Sequence, residues 1–321
     1  MGAWGIALLA ITAILSVPTH AQTYPSKPIR LIVPLAPGGP SDILARTIGA
    51  AITPALGQPI VVDNRTGAGG TIGINAAAKS PGDGYTMLLV AASTYTINAN
   101  LYPKLPYDAR RDLTPVSILA ASPNMLTVHP SLPAKTLKEL IALDKARPRE
   151  LNYGSGGTGT GAQMSMELLK LETGMQLTHI PYKGSGPALT ETVAGQVQVG
   201  MFAILAALPV VESKRLRALA ITGAKRSPKL PDLPTIGESG VAGFDDVSGH
   251  MILVPSATPK DIIARLHREL VRALQAPEVV RRLENEGAEI IGNTPEQAAA
   301  IVRADLDKWA QVIKRSGIKP E

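Results

Sequence analysis

Four stretches of this sequence share one plan: an apolar run, a glycine-rich turn, then the start of an amphipathic segment. They are PLAPGGPSDILAR (residues 34–46), DNRTGAGGTIGINAAA (63–78), NYGSGGTGTGAQMSMELL (152–169) and HIPYKGSGPALTE (179–191). Strand, turn and helix in repeated order is how a parallel sheet is built, because parallel neighbours need a crossover, usually helical, between them. The rest of the chain keeps that rhythm. Residues 29–35, 59–63 and 85–90 read as strands, and residues 41–56 carry Ile43, Leu44, Ile48, Ile52 and Leu56 near the 3.6-residue period of a one-faced helix.

A second set of the same elements follows. Residues 125–129, 151–153, 177–182, 197–202 and 216–222 are strand candidates, with helices at 136–146, 160–171 and 187–194 and a proline-rich loop at 227–234. A strand at 251–254 then leads into helices at 259–275, 278–286 and 295–315, each with a proline near its start, where the missing N–H costs nothing. The expected fold class is therefore α/β, with two domains that are each a mostly parallel sheet flanked by helices. A chain of 321 residues suits two domains. Residues 23–120 with 251–321 make the first domain and residues 121–250 an inserted second, with hinge strands near 115–125 and 245–255. Ligands of open α/β sheets bind beyond the carboxyl ends of the strands, which here means the cleft between the two domains.

Composition narrows what such a cleft can hold. Aromatic residues are only 3% of the chain, too few to stack sugars or single-stranded bases, so no nucleic-acid partner is expected. Cysteine is absent, which excludes disulfides, zinc thiolates and a thiol nucleophile. The first 22 residues carry no Lys, Arg, Asp or Glu, and residues 3–17 are apolar but short for a membrane span. Residues 1–22 therefore read as an export leader, cleaved after Ala21, with an uncleaved anchor as the alternative. The net charge of +6 suits an anionic ligand or simple solubility.

The turn at Gly154-Ser155-Gly156-Gly157-Thr158-Gly159 satisfies GxGxxG, yet no acidic residue for a ribose lies in 176–182 and Thr160 stands where a phosphate loop has lysine. The amino end of a helix offers unpaired N–H groups and about half a positive charge, so each glycine turn is an anion cradle without a basic side chain. Two long ones, one in each half, suit a small carboxylate shared between them. Lys183, beside Gly184, is the one basic residue inside such a turn. Asp42 either starts its helix, paired with Arg46 one turn on, or contacts ligand. GxSxG is absent, and His20, His129, His179, His250 and His267 show no metal-ligand spacing; no catalytic residue, metal or cofactor is expected. His179 reads as a packed, satisfied histidine.

The segments PGGPSDILAR, VVDNRTGAGGTIG, GYTMLL, LPYDARRDLTPVS, NYGSGGTGTGAQMSMELL, PYKGSGPAL, GQVQVG, LRALAIT and LPTIGESG, in that order and followed by the helical tail, resemble the Bug-type periplasmic substrate-binding receptors of the tripartite tricarboxylate transporter family. The resemblance covers nearly the whole mature chain. It implies a two-domain, type II periplasmic-binding-protein (Venus-flytrap) fold that closes on a small organic carboxylate and delivers it to membrane permease subunits. A membrane sensor as partner is a further possibility. It also implies ligand contacts at Ala36, Pro37, Gly38, Gly39, Ser41 and Asp42, at Ser93 and Thr94, and at Ser155, Gly156, Gly157, Thr158, Gly159 and Thr160. Phe202-Ala203 stand where that family usually has a polar residue, Gly249-His250-Met251 replace its Trp-Tyr-Gly, and Gln163 or Met164 replaces a frequent His. The first two departures suggest a less polar or larger ligand. The rival reading is an exported α/β enzyme for a phosphorylated or nucleotide substrate, and a ligand-dependent signalling module is a third.

Overall fold

The computed structural model describes residues 24–35, 37, 40–182, 184–285 and 287–319, so the expected leader lies outside the described residues. The first elements are β1 (Ile29–Val33), α1 (Pro40–Leu56), β2 (Ile60–Asn64), α2 (Thr71–Ala78), β3 (Thr86–Ala91) and α3 (Ala92–Leu101). β1 lies parallel to β2 on one side and to β3 on the other. Its sequence, IRLIV, is apolar at four of five positions because both faces of the sheet are covered. Leu31 and Val33 pack on Leu44, Ile48 and Ile52 of α1. Ile32 points the other way. Each such side chain, once buried, contributes about 1.5–3 kcal/mol.

β4 (Leu113–Val128) carries the chain onward to α4 (Leu137–Ala146), β5 (Asn152–Ser155), α5 (Gly161–Thr173), β6 (Thr178–Pro181), α6 (Ser185–Val193), β7 (Val199–Ala203), α7 (Ile204–Glu212) and β8 (Arg217–Ile221). The return is β9 (Val247–Pro255), followed by α8 (Lys260–Leu274), α9 (Pro277–Asn285), β10 (Glu289–Ile290) and α10 (Pro295–Ser316). The strand order is β2-β1-β3-β9-β4-β7-β5-β6, with β8 and β10 also paired to β4. β4 is the spine. Its first part pairs antiparallel with β9, and its last five residues, Asn124 to Val128, pair with β7. The two halves of the sheet have separate cores: one is built around β1, α1 and α8, the other around Leu126, Tyr153, Met166 and Met201.

The sheet is mixed where mostly parallel sheets were expected, and α7 and β10 were not read from sequence; two further differences bear on the join between the halves. β4 is a single strand of 16 residues, where the sequence suggested a hinge segment and a separate strand. Pro115 and Pro123 argue against a continuous strand; Pro115 is accommodated at a register shift, and Pro123 pairs with Val247, the first residue of β9. α3 was not foreseen. Ala92, Ser93, Tyr95, Thr96, Ile97, Asn98 and Leu101 are all buried, so the helix lacks the one-sided stripe that reveals a helix in sequence.

A further apolar cluster joins the halves. Ile97 and Leu101 of α3 meet Met164 of α5 and Trp309 and Val312 of α10. α10 starts with a capping box, in which the Gln297 amide N–H donates to Thr294 Oγ1 at 3.3 Å and the Thr294 N–H donates to Gln297 Oε1 at 3.0 Å. Beside the cluster, Lys308 Nζ lies 3.0 Å from Asp246 Oδ1, and Asp246 also accepts from the Ser165 hydroxyl of α5.

Candidate functional site

In the first half, the turn after β1 leads through Pro37 into α1, whose first turn contains the buried Ser41 and Asp42. Ala36, Gly38 and Gly39 lie outside the described residues. Arg46 grips the Asp42 carboxylate with both arms, Nε to Oδ2 at 3.0 Å and Nη2 to Oδ1 at 3.0 Å. Arg46 also donates to Asn64 Oδ1 at 3.3 Å, and Asn64 Nδ2 donates to the Leu35 carbonyl at 3.0 Å. Asp42 thus helps to hold the turn in shape, and a carboxylate there also suits the positive end of α1.

Ser41 Oγ sits 3.0 Å from Nε2 of His250. His250 lies on β9 between Ala91 of β3 and Ala120 of β4. Burial pushes its imidazole down to about 4, so it is neutral at neutral pH. Ser93, in the first turn of α3, is buried beside this group of strands, and Thr94 is half-buried.

In the second half, β5 ends at Ser155 and α5 begins at Gly161, capped by the Thr160 side chain, which accepts from the Gln163 N–H at 3.4 Å. The loop between them is tightly bonded to itself. Ser155 Oγ accepts from the Gly157 N–H at 3.2 Å and lies 2.7 Å from His179 Nε2. Thr160 Oγ1 donates to the Gly157 carbonyl at 2.8 Å, and the Gly159 N–H donates to Gln163 Oε1 at 2.7 Å. Gly157 has φ +121°, a conformation that a side chain strains. His179 stacks on the Tyr153 ring at 4.8 Å, and the Tyr153 hydroxyl donates to Glu167 Oε1 at 2.5 Å. Burial, with Glu167 alongside, pushes that phenol well above its usual range. His179 is indeed satisfied, but it also fixes Ser155. Neither the Tyr153–His179 stack nor Gln163 as a loop clasp was read from sequence, because residues 153, 163 and 179 come together only in three dimensions.

The two halves meet at this loop. A Cβ placed on Gly161 would stand 2.8 Å from Ser93 Oγ, and one on Gly159 2.7 Å from Leu101 of α3. Ala203, half-buried at the end of β7, pairs with Asn124 of β4, four residues beyond the partner of His250. Gly184 donates to the Gly156 carbonyl at 3.1 Å, which brings the start of α6 to the same place; Lys183 lies outside the described residues. Ser93 and Leu101 of α3 thus lie against the 155–161 segment, Gly184 joins that loop, Ser41 reaches the middle of β4 through His250, and Ala203 borders β4 further on. Phe202 turns away from this region, which corrects the expectation for its side chain. Both faces of β7 are covered, and the Phe202 ring is buried with Met125, Ala188 and Ile204, folded over Gly200.

The chemistry of this place is that of hydrogen-bond donors. First-turn amides of α1, α3 and α5 have no helical carbonyl within reach, and the hydroxyls of Ser41 and Ser93 stand among them. Ser155 is fully buried with its hydroxyl engaged by the loop, a poor position for a nucleophile. Among the described residues no group of His, Cys, Asp or Glu could hold a metal ion, and no helix is long and apolar enough to cross a membrane. A cavity of about 1020 Å³ is lined by Ala92, Ala121, Pro123, Val247 and Gly249 and runs towards Lys225 and Asp305; Ala92 and Gly249 neighbour Ser93 and His250 in the chain, and none of the expected contact residues lines it.

An α/β sheet in two halves, joined by the long strand β4 with β9 beside it, and with helix amino ends facing the join, defines the periplasmic-binding-protein fold and the class of solute-binding receptors. The family described as tripartite tricarboxylate transporter family receptor matches residues 44–318. Protein BugT of Bordetella pertussis is 39% identical over 98% of this chain and 97% of its own length. Among solved structures, Rpa4515 of R. palustris with adipate shares 37% identity at a TM-score of 0.83, covering 93% of this chain and 100% of that one. MatC of Rhodopseudomonas palustris with bound malate shares 33% identity at a TM-score of 0.80, covering 90% of this chain and 100% of that one. This chain belongs to the tripartite tricarboxylate transporter receptor family.

Proposed function

We propose that this protein is an extracytoplasmic receptor that closes on a small organic carboxylate and delivers it to the permease of a tripartite tricarboxylate-type transporter. It acts by binding and not by turnover. The observation that carries the reading is the contact between Ser93 at the start of α3 and Gly161 at the start of α5, which brings donor-rich ends from both halves to one point. Micromolar affinity needs about 8 kcal/mol. Hydrogen bonds to a charged acceptor at about 1.5–3 kcal/mol each, with helix-end terms of up to about 2 kcal/mol in buried geometry, supply it without a buried lysine.

In this reading the halves are lobes, residues 23–120 with 251–321 against 121–250, and β4 and β9 are the hinge. Ligand contacts come from Ala36, Pro37, Gly38, Gly39, Ser41 and Asp42, from Ser93 and Thr94, from Ser155 to Thr160, and from Lys183 and Gly184, with Ala203 at the rim. Adipate and malate, bound by the two R. palustris relatives, set the expected ligand class. The leader, residues 1–22, directs the chain to the periplasm. A thermal-shift screen of the mature protein against mono-, di- and tricarboxylates, aromatic acids and nucleotides tests the reading. A carboxylate should raise the melting temperature while nucleotides leave it unchanged, since ligand stabilises by RT ln(1 + [L]/Kd). Stabilisation by nucleotides alone would overturn it.

A further inference from the structure

We propose that His250 is a positioning residue for the ligand: its ring N–H donates to Ser41 Oγ, which frees the Ser41 hydroxyl proton to point at a carboxylate. This assignment rests on the carboxylate reading above and says which hinge residue serves it. Three observations carry it. The Ser41 Oγ to His250 Nε2 distance is 3.0 Å, so one proton lies between them. The backbone of His250 is fixed on both sides, paired with Ala91 of β3 at one edge and Ala120 of β4 at the other, which sets where its ring leaves the sheet. Ser41 itself is only 2% exposed in the first turn of α1, so its hydroxyl has few directions available.

A neutral imidazole carries one N–H, and the two tautomers give opposite outcomes. With the proton on Nε2, the ring donates to Ser41, and Ser41 donates onward into the space between the halves. With the proton on Nδ1, Nε2 accepts the Ser41 proton, and Ser41 presents only lone pairs, which repel an anion. A bound carboxylate therefore selects the first tautomer. The pair becomes a relay from the hinge strand to the ligand, supplying a donor without placing a fixed positive charge in the site. His250 lies where β9 pairs with the middle of β4, the strand shared by both halves, so the donor is set beside that strand.

The test is calorimetric titration of the mature protein with adipate and with malate, on wild type, Ser41→Ala, His250→Ala, His250→Gln and the Ser41→Ala/His250→Ala double variant. Each Ala variant should weaken binding about tenfold to a hundredfold, the range for a hydrogen bond to a charged acceptor. The double variant should bind no more weakly than either single one, because both remove the same relay. His250→Gln, whose amide N–H can donate to Ser41, should stay within about threefold of wild type. Nitrogen-15 shifts of the His250 ring in the complex should report the proton on Nε2. Losses that multiply in the double variant, undiminished binding by His250→Ala, binding by His250→Gln as weak as by His250→Ala, or a proton on Nδ1 in the complex would overturn the assignment. Wild-type protein that binds neither acid would instead count against the carboxylate reading, and the relay would fall with it.

Discussion

Replacing Gly157 by alanine tests whether the α5 loop is a ligand cradle. Gly157 has φ +121°, and an added Cβ would meet only the Tyr182 carbonyl, at 3.3 Å, so the penalty is backbone strain more than collision. Strain of this kind costs about 1–3 kcal/mol. The loop can relieve it by rotating its peptides, which breaks the Gly157 N–H bond to Ser155 and the Thr160 bond to the Gly157 carbonyl. The neighbouring amides then lose their aim. One misdirected hydrogen bond to a carboxylate, about 1.5–3 kcal/mol, weakens binding about tenfold to a hundredfold. At ligand near 100 times its wild-type Kd, wild type gains about 2.7 kcal/mol, and a hundredfold weaker variant only about 0.4 kcal/mol. In a melting experiment on a mature chain of about 300 residues that is a shift of roughly 4 °C against less than about 1 °C. The control is Gly174→Ala at the other end of the same helix, with φ +75° and nothing within 4 Å. It should lower the melting temperature of the free protein, since left-handed alanine costs about 1–2 kcal/mol, yet keep the ligand shift whole. An undiminished shift in Gly157→Ala, or an equal loss in Gly174→Ala, would refute the reasoning.

Trp309→Ala empties the cluster that joins α3, α5 and α10, and should destabilise by about 3–5 kcal/mol in urea unfolding. Lys308→Met strips Asp246 of its cation while Ser165 stays bonded to it; with Lys308 partly exposed, a loss of about 1–3 kcal/mol in the same assay is expected. His250 and Asp305 pull pH dependence in opposite directions. His250, lowered by burial from its ordinary 6.5 to about 4, binds its proton more readily in the unfolded chain, so its contribution is lost as pH falls from 6.5 to 4. Asp305, raised to about 6 by burial, with Lys308 opposing and Asp246 reinforcing, holds its proton more tightly when folded, so stability falls as pH rises from 4 to 6. Asp305→Asn should therefore be more stable than wild type above pH 6, by about 1–3 kcal/mol, and chemical denaturation across pH 4–8 reads it. Amino-terminal sequencing of exported protein should begin at Gln22.

The rhythm of apolar runs, glycine turns and amphipathic stretches was enough to read a two-part α/β fold, with parallel pairing at β1–β2, β1–β3, β5–β6 and β5–β7, but not the antiparallel pairing along β4 and β9. Such local patterns follow from strand and helix periods, which any short window of chain expresses. α1 was readable in this way because only one of its faces is buried, and the three C-terminal helices because prolines mark their starts. The long β4 was not, because its prolines are tolerated only where β9 shifts register and where the ladder ends, a fact of pairing with residues more than a hundred positions away. α3 was hidden for the opposite reason: buried nearly all round, it shows no period. Within the site, the glycine turns could be found by eye. Tertiary structure alone put His250 against Ser41, Tyr153 against His179 and Ser93 against Gly161, and turned Phe202 into the core. Glycine and helix signals act over a few residues, whereas hydrogen-bond partners are chosen by the packing of whole strands, and no local window contains that choice.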